Sequence, residues 1–190
     1  MGYMGKEADD LANLQADRIY SGWSGKYFMS VIMQSVRVSI EQARTAIAGI
    51  LKSNISPQKK NEFNLLDLRL QALTLMCNNA ENATSYQAQL DKGKAKAVKC
   101  EAETNPDVEF PSGPDRNMIL ETARNEIDNT AMILQLLEST NEVIFDLAPT
   151  KELEDIRRLG PDFKDQLKQK LRIMNEHWLD YNRIYTPPNQ

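Results

Sequence analysis

The 190-residue sequence contains few of the side chains from which most catalytic and metal sites are built. It has one histidine, His177, and two cysteines, Cys77 and Cys100. A single histidine excludes two-histidine metal motifs and the paired Glu-x-x-His pattern of di-iron bundles. Two cysteines with one histidine also fit a zinc site poorly. We therefore expect no catalytic residues, no metal ligands and no bound cofactor.

The chain also lacks the sequence motifs of common enzymes and cofactor proteins. It has no glycine-rich phosphate loop, no Gly-x-Ser-x-Gly nucleophile elbow and no Cys-x-x-Cys-His haem motif. Adjacent carboxylates such as Glu154 and Asp155 point in different directions on a helix, so we interpret them as solvated residues rather than an acid–base pair. These absences favour a protein that is not an enzyme.

Membranes and nucleic acids are both disfavoured as partners. No run of about 18 apolar residues occurs, so we predict no membrane-spanning segment. No apolar core follows Lys6, so the first residues do not resemble a signal peptide, although one could have been removed from a precursor. Residues 1–100 carry a balance of +4 and residues 101–190 a balance of −8. The acidic second half argues against nucleic acid, because phosphate binding needs a concentrated basic face.

What the sequence has in quantity is apolar residues spaced three and four apart, the pattern of amphipathic helices that share a core. We predict one all-α domain over residues 1–190, an elongated antiparallel (up-and-down) bundle of four main helices with one or two short accessory helices. The four main helices are predicted at 25–53, 57–92, 115–148 and 162–185, with a short N-terminal helix at 6–20.

Turn residues set the expected ends of these helices. The glycine turn Ser21–Gly25 precedes the first main helix, with Ser24 as its N-cap. The second main helix is predicted to end near Gly93, because its apolar pattern fades after Asn82. Prolines predict a loop at 101–114, a stop at Pro149, a short helix after Thr150 and a frayed tail at 186–190.

The apolar stripes of the first two main helices are each predicted to face the shared core. The first stripe consists of Phe28, Ile32, Val36, Ile40, Ala43, Ile47 and Leu51. The second consists of Phe63, Leu66, Leu70, Leu73, Cys77 and Ala80.

The two cysteines decide the expected cellular compartment. A continuous helix from Cys77 to Cys100 would separate them by roughly 35 Å, whereas a disulfide needs Cα atoms within about 7 Å. If the chain reverses near Gly93, the two can meet, and we predict a disulfide that contributes ~3 kcal/mol. That bond implies a secreted or periplasmic protein. The alternative is two free thiols, which suits a cytoplasmic protein.

Two groups of residues are candidate partner contacts. Aromatic side chains near the glycine turn resemble interface anchors, although they could instead close the end of the core. A basic stretch followed by acidic residues could dock a charged partner, although a solvated loop is the alternative. The aromatic group is Tyr20, Trp23 and Tyr27, and the basic group is Lys92, Lys94, Lys96 and Lys99.

We interpret the chain as a non-enzymatic subunit that acts by protein–protein contact or assembly, of an accessory or effector type. Its expected partner is another protein, and self-association into a homo-oligomer stays open. One alternative is a ligand or haem carrier that uses the bundle interior. The other is a cytoplasmic helical regulator or chaperone.

Overall fold

The computed structural model describes residues 22–102, 113–153 and 159–179, without the side chains of 22–26, 28, 90–102 and 113–116. The described part of the chain is all-helical. The predicted helix at 6–20 and the tail at 186–190 lie outside the described residues. The elements are α1 (Gly22–Leu51), α2 (Pro57–Ala102), α3 (Gly113–Glu138), a 3-10 turn (Lys151–Leu153) and α4 (Phe163–Glu176).

The main packing contacts join helices that are consecutive in the chain: α1 with α2, α2 with α3, and α3 with α4. The helices α1 and α2 are antiparallel. Ser30, early in α1, contacts Glu81, whereas Arg44, late in α1, contacts Asp67. Helices packed on one another without strands confirm the predicted all-α, bundle-like fold.

The pair α2 and α3 is antiparallel as well. Asn129 of α3 donates from Nδ2 to the carbonyl oxygen of Leu75 at 3.0 Å, and Gln89 contacts Met118 near the start of α3. Among the described residues, no helix is both long and apolar enough to cross a bilayer.

The centre of the fold lies where α2, α3 and α4 meet. Its buried cluster is Leu75, Ile133, Phe163 and Leu167, one residue from α2, one from α3 and two from α4. Phe145, from the segment between α3 and α4, packs edge-on against Phe163 with ring centroids 5.4 Å apart. Burying such side chains contributes about 1.5–3 kcal/mol each, so this junction stabilises the packing of α2, α3 and α4.

Helix α1 begins before its predicted start. Gly22 to Gly25 already have helical backbone, so the predicted turn at Ser21–Gly25 and the N-cap at Ser24 are wrong. A glycine inside a helix costs only about 1 kcal/mol relative to alanine. The packing of the rest of α1 on α2 can offset that cost.

Helix α2 ends later than predicted. It continues through Gly93 to Ala102, so the predicted end near residue 92 and the loop from 101 are wrong at these residues. The segment around Gly93 is rich in alanine and lysine, which are strong helix formers. The end of the apolar pattern is therefore not the end of the helix.

Helix α3 ends at Glu138, so the predicted helix over 115–148 is ten residues too long. Side chains after Glu138 replace helical hydrogen bonds: Ser139 Oγ donates to the Leu136 carbonyl at 2.7 Å, and the Glu142 backbone N donates to Thr140 Oγ1 at 3.0 Å. Such local bonds compete with the helix. The segment that follows has no helix up to the 3-10 turn.

This segment nevertheless supplies core residues. Ile144 and Ala148 are buried, and the Ala148 backbone N donates to the Leu159 carbonyl at 2.7 Å. Arg69 of α2 donates to the Val143 carbonyl at 3.0 Å and so ties the segment to α2. Its apolar residues therefore cover the core from an irregular segment and not from one face of a helix.

Helix α4 ends at Glu176, a turn follows at His177, and residues 178–179 are helical again. The helix predicted over 162–185 is therefore interrupted at His177, and residues 180–185 lie outside the described part of the chain. Phe163 and Leu167 are buried, so the start of α4 faces the core. The short helix predicted after Thr150 is a single 3-10 turn in the described residues.

Candidate functional site

The apolar stripes of α1 and α2 are only partly buried by the fold. Ile40 and Ile47 are buried, but Ile32 is 37%, Leu66 43% and Leu73 46% exposed. Each helix turns one edge of its stripe toward its neighbour and leaves the other edge in water. The expectation that both stripes lie wholly in a shared core is therefore wrong at these three positions.

We call this exposed strip the hairpin face. It consists of Ile32, Ser35, Val36, Ser39 and Ala43 of α1 with Leu66, Leu70 and Leu73 of α2. A groove of about 310 Å³ lies within it, and its lining combines six residues of the face with Ile40. None of these side chains is charged, so the face offers apolar contact and hydroxyl groups but no ionic recognition.

The two halves of the hairpin face differ in height. The α1 half contributes three small residues at a spacing of four, Ser35, Ser39 and Ala43, and the α2 half contributes large leucines such as Leu70 and Leu73. Residues four apart lie on one side of a helix. Around Ser39 and Ala43 the face is thus lower on α1 than on α2, which is a shape that a helical partner can match.

Polar side chains fix α1 to α2 within the interface between the two helices. Arg44 donates from Nε to Asp67 Oδ1 at 2.7 Å, and Gln71 donates to Asp67 Oδ2 at 2.7 Å. Nearer the start of α1, Arg37 donates to Asn78 Oδ1 at 2.9 Å and forms an ion pair with Glu81. These links set the spacing and register of the hairpin, so the hairpin face is preformed.

The electrostatics of the Arg44–Asp67 pair agree with this geometry. The hydrogen bond with Asp67 raises the pKa of the Arg44 guanidinium above its usual value. The hydrogen bond from Arg44 lowers the pKa of the Asp67 carboxyl below its usual range. Both residues are therefore charged at neutral pH.

The opposite side of α2 carries a buried polar cluster, which we call the polar belt. Its centre is Glu126 of α3, whose carboxylate accepts hydrogen bonds from Asn79, from Asn82 at 2.8 Å and from Thr130 at 3.3 Å, and forms an ion pair with Lys170. A buried carboxylate is tolerated only when its oxygens are paired in this way. The polar belt therefore joins α2, α3 and α4 in one arrangement.

Sequence reasoning missed the polar belt, although a signal was present. The run Asn78-Asn79-Ala80-Glu81-Asn82 interrupts the apolar pattern of α2 in mid-helix. In the structure its polar side chains face both neighbours: Asn78 and Glu81 contact α1, and Asn79 and Asn82 contact α3. When a helix is packed between two neighbouring helices, a polar run within it indicates polar contacts with those neighbours rather than exposure to solvent.

The predicted disulfide is wrong. Cys77 is a free, buried cysteine, and α2 runs unbroken from Cys77 past Cys100. That helix separates the two by roughly 35 Å, far beyond disulfide reach. Burial raises the pKa of the Cys77 thiol, with a smaller opposing effect from Arg37. The reason for expecting an oxidising compartment is therefore lost.

The structure describes few of the predicted partner contacts. Tyr27 is 74% exposed on α1, Tyr20 lies outside the described residues, and the side chain of Trp23 is not described. The basic group lies on the helical backbone of α2 rather than in a loop, and its side chains are likewise not described. The partner role of these residues stays a prediction. The basic group is Lys92, Lys94, Lys96 and Lys99.

The last turn of the described chain brings an aromatic onto α3. His177 is exposed where α4 ends, and the neighbouring Trp178 stacks under the guanidinium of Arg124 at 4.3 Å, a cation–π contact. In the ranges that the structure describes, no group of three or more His, Cys, Asp or Glu residues could hold a metal ion.

Comparison of the chain with protein-family models, with curated proteins and with solved structures found no match in any of the three.

Proposed function

We propose that the protein is a non-enzymatic subunit that acts by protein–protein contact or assembly, and that it meets its partner through the hairpin face. The observation that carries the proposal is an apolar groove between α1 and α2 that Val36, Leu70 and Leu73 line, with Leu73 46% exposed. Contiguous exposed apolar residues are a feature of interaction surfaces.

The geometry of the hairpin supports this role. An amphipathic helix that lies in an apolar groove is a recurring mode of protein recognition. Here the Arg44–Asp67 and Arg37–Asn78 contacts hold the groove in place, so a partner does not need to order it on binding. Preorganisation of this kind improves affinity because less conformational entropy is lost.

The cellular location of the protein is not part of the proposed function. A secreted or periplasmic location rested on the disulfide between Cys77 and Cys100, which is not formed. The buried free thiol of Cys77 is compatible with the cytoplasmic alternative as well as with a secreted or periplasmic location.

The test is affinity capture from the native organism with three baits: the wild-type chain, Leu73→Glu and Val38→Glu. Leu73 lies in the groove, whereas Val38 is 43% exposed on α1 but does not line it. Both substitutions place a carboxylate on a half-exposed apolar position, and circular dichroism would establish that the helices persist in each bait.

We expect the wild-type and Val38→Glu baits each to retain at least one protein in about tenfold or greater amount than the Leu73→Glu bait does. Introducing a charge at an apolar contact should exceed the 2 kcal/mol scale of an interface hot spot, about 30-fold in affinity. If all three baits retain the same proteins in equal amounts, the hairpin face is not the interaction site.

A further inference from the structure

We propose that the partner on the hairpin face is a second copy of this chain, so that two α1–α2 hairpins pack face to face as four antiparallel helices. This inference rests on the proposed function and names the partner for the same surface. Its support is the shape, direction, charge and size of the hairpin face.

The shape of the face is self-complementary. Around Ser39 and Ala43 the α1 half is low, although Ile32 and Val36 stand higher toward its start, and the α2 half is high at Leu70 and Leu73. A two-fold axis parallel to the helices, in the plane between the copies, places α1 of each copy against α2 of the other. Small residues then meet large ones, as close packing requires, and the contacts occur twice by symmetry.

The directions of the helices suit the same axis. Because α1 and α2 are antiparallel within one chain, this axis also makes every facing pair between copies antiparallel, which aligns helix dipoles favourably. The contacts of Arg44 with Asp67 and of Arg37 with Asn78 place Ser39 at about the level of Leu73. Ser39 of each copy therefore faces Leu73 of the partner subunit.

The charge of the face permits a like partner. Each chain carries a net charge of −4, so two copies repel unless they meet on a neutral surface. The hairpin face is such a surface, because none of the residues that line its groove is charged. A strongly charged partner would find no opposite charge on this face to pair with.

The size of the face sets the expected strength. From the level of Ile32 to the level of Leu66 the face is about 20 Å long, and two packed helices are about 20 Å wide. The dimer would bury roughly 800–1,000 Å² in total, which lies below the range of stable specific interfaces and in the range of weak, transient ones. We therefore expect a weak dimer that forms and dissociates with concentration.

The experiment is light scattering coupled to size exclusion on the full chain, from about 5 µM to about 500 µM, a range around the dissociation constants of weak complexes. Wild type should rise from 21.6 kDa toward twice that mass. Ser39→Glu and Leu73→Lys should each stay monomeric over the range, and Val38→Glu should behave as wild type.

The decisive arm mixes the Ser39→Glu and Leu73→Lys chains in equal amounts. In the proposed arrangement the new glutamate faces the new lysine, and the second, symmetry-related contact keeps its wild-type residues. The mixture should recover the dimer that neither chain forms alone. Circular dichroism of each chain checks that monomers are folded.

Three results would overturn the inference: a monomeric wild type at all concentrations, a dimer that persists in both variants, or a mixture that stays monomeric. None of them removes the proposed function by itself. A monomeric wild type that still captures a Leu73-dependent protein would keep the hairpin face as an interaction site with a different partner.

Discussion

The two sides of helix α2 meet their neighbours with opposite distributions of polar and apolar residues. Toward α3 and α4, charged and polar groups such as Glu126 and Thr130 are buried, and apolar residues such as Leu75 are buried with them. Toward α1, the ionic pairs are partly exposed, and apolar residues such as Leu73 remain in water. One side is a closed core, whereas the other keeps a free apolar edge.

This difference separates what the two regions can do. Buried polar groups that are fully paired specify one arrangement of helices, because any other arrangement leaves them unpaired. Exposed apolar residues specify no internal arrangement and gain free energy only when something covers them. We infer that α3 and α4 serve to hold the fold and that the α1–α2 hairpin is the region available for contact.

The largest effect is expected from Glu126→Ala. The substitution leaves Asn79, Asn82 and Lys170 without their shared acceptor in a buried site. Removing one partner of a buried pair lowers the free energy of unfolding by about 3–5 kcal/mol. Urea denaturation followed by circular dichroism measures it. Glu121→Ala, at an exposed position of the same helix, is the matched control and should change little.

A somewhat smaller loss is expected from Ile133→Ala. Ile133 is 2% exposed in the central cluster, and the substitution leaves a cavity that its neighbours fill only partly. We expect about 3 kcal/mol, in the middle of the range for such truncations. The same denaturation experiment on Met132→Ala, the exposed next residue, should give a loss within about 0.5 kcal/mol. Equal losses would mean that the core is not where the structure places it.

On the hairpin face the same kind of truncation should matter much less. Leu73 is already 46% exposed, so Leu73→Ala removes fewer buried methyl groups and opens no closed cavity. We expect a loss below about 1 kcal/mol, measured at low protein concentration so that self-association does not contribute. A loss near that of Ile133→Ala would contradict the distinction between the two sides of α2.

The smallest effect is expected from Asp67→Asn. Because Arg44 lowers the pKa of the Asp67 carboxyl in the folded chain, the pair stabilises the fold above the unfolded pKa of about 3.9. That contribution is lost as pH falls through the lower, folded pKa. For a partly exposed pair we expect below about 1 kcal/mol at pH 7.

The measurement is the free energy of unfolding of wild type and Asp67→Asn between pH 7 and pH 2. The difference between the two should shrink toward zero at the acid end. Glu121→Gln, at an exposed position of α3, should show no comparable pH-dependent difference. A difference that grows on acidification would contradict the assigned role of the pair.

The sequence predicts the helices better than it predicts their ends. A spacing of three and four is a property of the whole segment, so α1 to α4 are all found. Their ends depend on single side chains: Ser139 and Thr140 end α3 through local hydrogen bonds, whereas Gly93 does not end α2. The residues around a helix-breaking residue decide whether the helix ends there. The apolar stripe does not show this.

The candidate site was harder to predict, for a physical reason. The spacing of the apolar residues shows that Ile32 and Leu73 belong to apolar stripes. It does not show that each stripe is wider than the surface that the neighbouring helix covers. That excess depends on the angle at which α1 and α2 pack. The pairing of Glu126 with residues of α2 and α4 is equally non-local, and so no spacing within one helix reveals it.

Packing between helices that follow one another in the chain has a consequence for how this protein reaches its fold. Such contacts close short loops, and proteins rich in them fold rapidly, on timescales of microseconds to milliseconds. The α1–α2 hairpin can form as soon as its own residues have left the ribosome, before α3 and α4 are made. During synthesis, the side of α2 that packs on α3 and α4 would then be exposed to water until the residues that surround Glu126 have been made and cover it.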